Sequence, residues 1–147
     1  MPQSLQNITF CLIKGQTKVV TVPNNWLSAR IWPRTGCSTQ NGNFICETGQ
    51  CKNSIECAGT TGVPPVTLAE FNLASSSGDW YDLSLVDGFS IPMSIEPTSS
   101  KCRKLRCVND INKVCPAEFQ NKNSQGKVIG CYTCKITFIF RITKSIA

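Results

Sequence analysis

The chain has 147 residues, ten of them cysteine, no histidine, and a net charge of +6 from 15 basic and 9 acidic side chains. That length suits one domain with a core of its own, 1–147, and is short for two. The lack of histidine excludes Ser-His and Cys-His nucleophile pairs and every Cys/His zinc pattern, leaving acid–base work to carboxylates, lysine or tyrosine.

The first β-branched run, Lys18 to Val22, ends at Pro23 and predicts a strand followed by a turn. Ala29-Arg30-Ile31-Trp32 predicts a second short strand, stopped by Pro33. From Thr35 to Pro65 the chain is rich in Gly, Asn and Cys with little periodicity, which predicts cross-linked loop. Thr67 to Leu73 alternates, with Ala69, Phe71 and Leu73 on one face and Glu70 and Asn72 on the other. Ser75 to Gly78 reads as a turn, and Trp80 to Val86 alternates again, with Tyr81, Leu83 and Leu85 opposite Asp82 and Ser84.

The two alternating segments predict a hairpin. A turn centred near Ser76 sets Glu70 against Asp82, a like-charge pair that a purely structural sheet avoids. Asp87-Gly88 marks a tight turn, and Phe89 to Ile95 predicts an edge strand because of Pro92. Cys102 to Cys115 reads as cross-linked loop with a short helix over 108–114, and Gln120 to Gly130 as polar loop. Ile136, Phe138, Phe140 and Ile142 alternate and predict a last strand.

The basic residues are mostly scattered, densest at Lys101, Arg103, Lys104 and Arg106, without the aromatics of a nucleic-acid surface, so no nucleic-acid partner is expected. No stretch reaches the apolar length of a membrane span. The N-terminal MPQSLQNITFCLIKG is too polar for a signal peptide, although the sequon Asn7-Ile8-Thr9 agrees with a secretory origin.

The cysteines admit three readings. Only Cys131 and Cys134 have CxxC spacing, with no second knuckle to complete a zinc site. A redox CxxC opens a helix, whereas this one leads into a strand pattern. A disulfide framework, and with it an oxidising compartment, is favoured; no metal or other cofactor is expected.

The run Gly42-Asn43-Phe44-Ile45-Cys46-Glu47-Thr48-Gly49-Gln50-Cys51 resembles the signature of the thaumatin-like (pathogenesis-related, osmotin-like) proteins of plants. RIWPRTGC (30–37), PPVTLAEFNL (64–73), DWYDLSLVDGFSIPM (79–93) and VCPAEFQ (114–120) continue the resemblance in the family's order, over about 16–134. Gln50 stands where an aspartate is usual, and Asn53 near the place of a glycine. The resemblance implies a mainly β fold, part of a thaumatin-like β-sandwich with disulfide-rich loops, and the pairs Cys37–Cys46, Cys51–Cys57 and Cys115–Cys131. Each short loop so closed is worth about 2 to 3 kcal/mol in the chain-entropy picture. Cys102, Cys107 and Cys134 fall out of the family's pairing, and Cys11 has no counterpart. The family's leading strands, signal peptide and later cysteine-rich region are not matched, so the expectation is a product truncated at both ends.

The same resemblance implies an acidic cleft, matched here by Arg30, Glu70, Asp82 and Asp87. Clustered carboxylates push each other's pKa values apart, the arrangement that glycoside hydrolysis uses. A carboxylate pair about 5 to 5.5 Å apart serves retention, and one roughly 6.5 to 9.5 Å apart serves inversion. In that reading Glu70 is the acid, Asp87 the base, and Arg30 their cationic partner. The expectations are therefore a secreted, monomeric defence protein of the apoplast that binds β-1,3-glucan or the fungal wall or membrane; a weak β-1,3-glucanase; or a non-functional remnant with unpaired thiols. Set against them, Arg30 can simply pair with a carboxylate of the sheet, and Asp87 can cap its turn.

Overall fold

The computed structural model describes residues 8–57, 59–74, 78–107 and 109–133. Strands and loops dominate. The widest sheet has three antiparallel strands in the order β1 (Ala29–Ile31), β4 (Leu68–Ala74), β5 (Gly78–Ser84). Among the described residues three two-stranded ladders accompany it: β2 (Ser38–Gln40) with β3 (Asn43–Ile45), β6 (Ser94–Ile95) with β7 (Leu105–Arg106), and β8 (Gln120–Lys122) with β9 (Val128–Cys131). The only helical turns among the described residues are two 3₁₀ segments, Ile111–Val114 and Ala117–Phe119.

The alternation of the two central segments is realised in register. Phe71 faces Tyr81, Ala69 faces Leu83 and Glu70 faces Asp82, a pairing centred on position 76. Residues 75–77 of the predicted turn lie outside the described residues. On the odd-numbered face the Trp26 ring stacks on Phe71 at 5.8 Å between centroids.

Packing concentrates where β4 begins. Val66, Thr67, Leu68 and Ala69 are buried in succession, so both faces of the strand are covered there. Thr67 and Ser90 satisfy each other: Thr67 N–H donates to Ser90 Oγ, Ser90 N–H donates to Thr67 Oγ1, and that hydroxyl donates to Ile91 O. This matters because a buried hydroxyl without a partner is costly. A second cluster gathers Phe89, 2 % exposed, with Cys115 and Cys131, flanked by Leu85, Ile111 and Phe119. Phe89 and Cys131 exchange both backbone hydrogen bonds at 2.8 Å. Gly88, at φ +94°, lets the turn from Leu85 approach closely; a Cβ there would sit 2.7 Å from Cys131 O and from Pro65 Cβ.

Among the described residues the disulfides are Cys37–Cys46, Cys51–Cys57 and Cys115–Cys131, the three pairs the resemblance implies. Among the described residues Cys11, Cys102 and Cys107 are free thiols. Arg34 binds the second staple: its guanidinium donates to Ile55 O and Ser54 O and lies over the Phe44 ring at 4.7 Å. Partial burial lowers its pKa.

Five sequence expectations are corrected. Lys18 to Val22 forms no strand: it pairs with nothing among the described residues and Val19 is 84 % exposed. β-Branched propensity alone does not satisfy a strand's backbone groups; a neighbour must. The loop predicted for 35–65 contains the β2–β3 hairpin, turned by Asn41 and Gly42 with φ of +50° and +78°. That is the Asn-Gly signal of a two-residue hairpin. Phe89 to Ile95 is no continuous strand: Phe89 makes an isolated bridge, and β6 starts only beyond Pro92, which lacks the N–H a ladder needs.

The polar stretch 120–130 is the β8–β9 hairpin. Its turn is held by Asn123 Oδ1, which accepts from Gln125 N–H and Lys127 N–H. The predicted helix over 108–114 shrinks to the 3₁₀ turn at 111–114, capped by Asp110 Oδ1 on Asn112 N–H; residue 108 is outside the described set. The terminal strand predicted over 136–142 likewise falls outside it, as does Cys134.

Candidate functional site

Three of the four expected cleft residues stand on one rung of the three-stranded sheet. β1 pairs Arg30 with Glu70, and β5 pairs Asp82 with Glu70, so the order across the strands is cation, anion, anion. Arg30 Nε donates to Glu70 Oε1 at 2.8 Å. The cation on one side of Glu70 offsets the repulsion from Asp82 on the other, which accounts for a like-charge pair surviving in a well-formed ladder. The ion pair is open to water, with the two side chains 42 % and 31 % exposed, so it adds little to stability and leaves both groups reachable by a ligand. The Asp82 carboxylate is exposed and has no hydrogen-bond partner among the described residues.

These three line a groove of about 330 Å³ together with Ser28, Asn72 and Trp80. Strand alternation sets Asn72 on the face of Glu70, and Trp80 on that of Asp82. Asn72 Oδ1 accepts from Ser28 N–H at 3.3 Å, tying the lead-in of β1 to β4. Asp87 is placed differently. It lies in the turn after β5, half-buried, and its carbonyl accepts from Val66 N–H at 2.9 Å. The structure therefore gathers Arg30, Glu70 and Asp82 at this groove, and Asp87 is not among the residues that line it.

Sequence reasoning passed over Trp80. The signal was present: alternation assigns it to the polar face beside Asp82, and a large aromatic on a polar face is unusual enough to ask why. Gln50, the departure from the family signature, is woven into the β3 edge. Its Oε1 accepts from Cys46 N–H, and its Nε2 donates to Phe44 O and Lys52 O.

The thaumatin family profile matches residues 2–138. The chain belongs to the thaumatin family. Its curated relatives include thaumatin-like protein 2 of Prunus persica, 46 % identical over 121 residues, which cover 79 % of this chain and 50 % of that protein. A Prunus avium protein named glucan endo-1,3-beta-glucosidase is 44 % identical, with 79 % and 49 % covered. A PR5-like receptor kinase of Arabidopsis thaliana is 40 % identical over 131 residues, 84 % of this chain and 20 % of that protein. The chain thus spans about half the length of the Prunus proteins it matches. It is similar to plant thaumatin-like, pathogenesis-related proteins, and its three disulfides fit an oxidising compartment.

Proposed function

We propose that this chain is a secreted plant defence protein that binds β-1,3-glucan of the fungal wall, with Arg30, Glu70 and Asp82 as the polar contacts. The observation that carries the reading is the rung itself: two carboxylates and a guanidinium side by side in an open groove. Carboxylates accept hydrogen bonds from sugar hydroxyls, and the guanidinium donates to them; together they hold a neutral, hydroxyl-rich polymer without needing a charged ligand. Asp87 joins this surface in the proposal through the family resemblance alone.

Retention on insoluble β-1,3-glucan tests the reading. Wild type is retained, and Asp82→Ala weakens retention about 10- to 100-fold, as expected for losing a charge-assisted hydrogen bond of about 1.5 to 3 kcal/mol. Equal retention of wild type and Asp82→Ala, or none by wild type, overturns it.

Hydrolysis is a second reading, supported by the name of the Prunus avium relative. Glu70 Oε1 accepts from Arg30, which leaves Oε2 as the oxygen a general acid would use. Reducing-sugar release that Glu70→Gln abolishes would establish hydrolysis; no release by wild type removes it.

A further inference from the structure

We infer that the Trp80 indole is the stacking platform of a second sugar subsite, one step along the sheet from the Arg30–Glu70–Asp82 rung. This rests on the glucan-binding reading above and specifies how that surface takes more than one sugar unit.

Four observations converge. Trp80 is 67 % exposed, a large aromatic surface left in water. Among the described residues its indole N–H has no hydrogen-bond partner and its ring no aromatic contact. The other two tryptophans are engaged: Trp26 stacks on Phe71, and Trp32 Nε1 donates to Gly49 O. Trp80 sits two residues before Asp82 and lines the same groove. Its partner across the ladder is Asn72, whose side-chain carbonyl already accepts from Ser28 N–H, leaving the amide N–H₂ as a donor beside the ring.

The chemistry follows from the spacing. Two residues along a strand span about 6.8 Å, the scale of one sugar ring to the next. A pyranose has an apolar face of C–H bonds and a rim of hydroxyls. The indole face takes the first, with the Asn72 amide at its rim, while the Asp82 and Glu70 carboxylates take hydroxyls of the adjacent unit. A rung of charges alone recognises any polyol; a flat aromatic beside it selects a ring with an apolar face and sets the direction of the chain.

The test titrates the full chain with soluble β-1,3-gluco-oligosaccharides of two to six units, following tryptophan emission and its quenching by iodide. Binding shifts the emission to the blue and shields it from iodide, because Trp80 is the solvent-exposed indole of the three. Trp80→Phe binds within a fewfold of wild type. Trp80→Ala loses about tenfold or more, equivalent to about 1.4 kcal/mol, and the advantage of longer over two-unit ligands shrinks. Unchanged circular dichroism and thiol content certify that the variants are folded. Trp80→Ala binding as tightly as wild type while Asp82→Ala fails would overturn the platform and leave the glucan reading standing. No binding by wild type would overturn both.

Discussion

Gln50→Glu is the substitution that most sharply tests how the cysteine-rich loop is held. It is isosteric and keeps the acceptor for Cys46 N–H at 2.9 Å. It removes both donors: Gln50 Nε2 to Phe44 O at 2.9 Å and to Lys52 O at 2.5 Å. The two carbonyls are not equivalent. Lys52 O faces water and re-forms its bond there, so its loss costs little. Phe44 lies on β3 with its N–H already committed outward to Asn53 O, and its carbonyl depends on Gln50 in a half-buried setting.

An unsatisfied carbonyl of that kind costs about 1 to 3 kcal/mol, and a lost exposed bond about 0.5 to 1, so Gln50→Glu is expected to destabilise by about 1.5 to 4 kcal/mol. The penalty also has a pH signature. A carboxylate facing two carbonyl oxygens is less favourable ionised than protonated, so its folded pKa lies above its unfolded value of about 4.3. Destabilisation is then full above the folded pKa and shrinks as pH falls towards and below the unfolded one, where the protonated carboxyl of the variant donates to one carbonyl again. Urea unfolding of both proteins at pH 7 and pH 4, disulfides intact, measures the gap. A difference at pH 7 within the roughly 0.5 kcal/mol of an inert surface change, or one that does not narrow in acid, would refute the reasoning.

Two further outcomes follow from the structure. Removing Cys115–Cys131 by double alanine substitution is expected to cost more than removing Cys51–Cys57. Sequence separations of 16 and 6 give about 3 and about 2 kcal/mol of chain entropy, and the first pair also sits in the Phe89 cluster. Equal urea midpoints for the two double variants would contradict this. The Glu96 carboxylate accepts from Arg106 Nη2 at 2.6 Å, with Lys104 Nζ at 3.7 Å, and the Arg106 hydrogen bond holds its pKa below the usual glutamate value. Its contribution is thus present above the unfolded pKa and lost as pH falls through the depressed folded one. An NMR titration should place the Glu96 midpoint below that of an unperturbed glutamate, and Arg106→Gln should move it upward; a midpoint unmoved by that change would sever the link.

Much of the sheet was legible because its signal is local. Alternation with period two marks both central strands, and the mirror relation of 70 and 82 about position 76 sets their register. The hairpins at 38–45 and 120–131 escaped the periodic reading because their strands are three or four residues long and mostly polar, too short for a face to show. Their turns carried the information instead, in Asn41-Gly42 and in the side chain of Asn123. Lys18 to Val22 failed in the opposite sense: propensity was there and a partner strand among the described residues was not.

The sequence by itself determined that the chain is a disulfide-stapled β protein of the thaumatin family, because cysteine spacing, alternation and ordered motifs are written along the chain. Only the tertiary structure decided which acidic residues stand together. Arg30 is 40 positions from Glu70, and their 2.8 Å ion pair exists because β1 docks on β4; Asp87, five positions from Asp82, lies in the turn after β5 and is not among the residues lining that groove. Neighbourhood across a sheet is set by strand pairing, and strand pairing is a property of the folded whole.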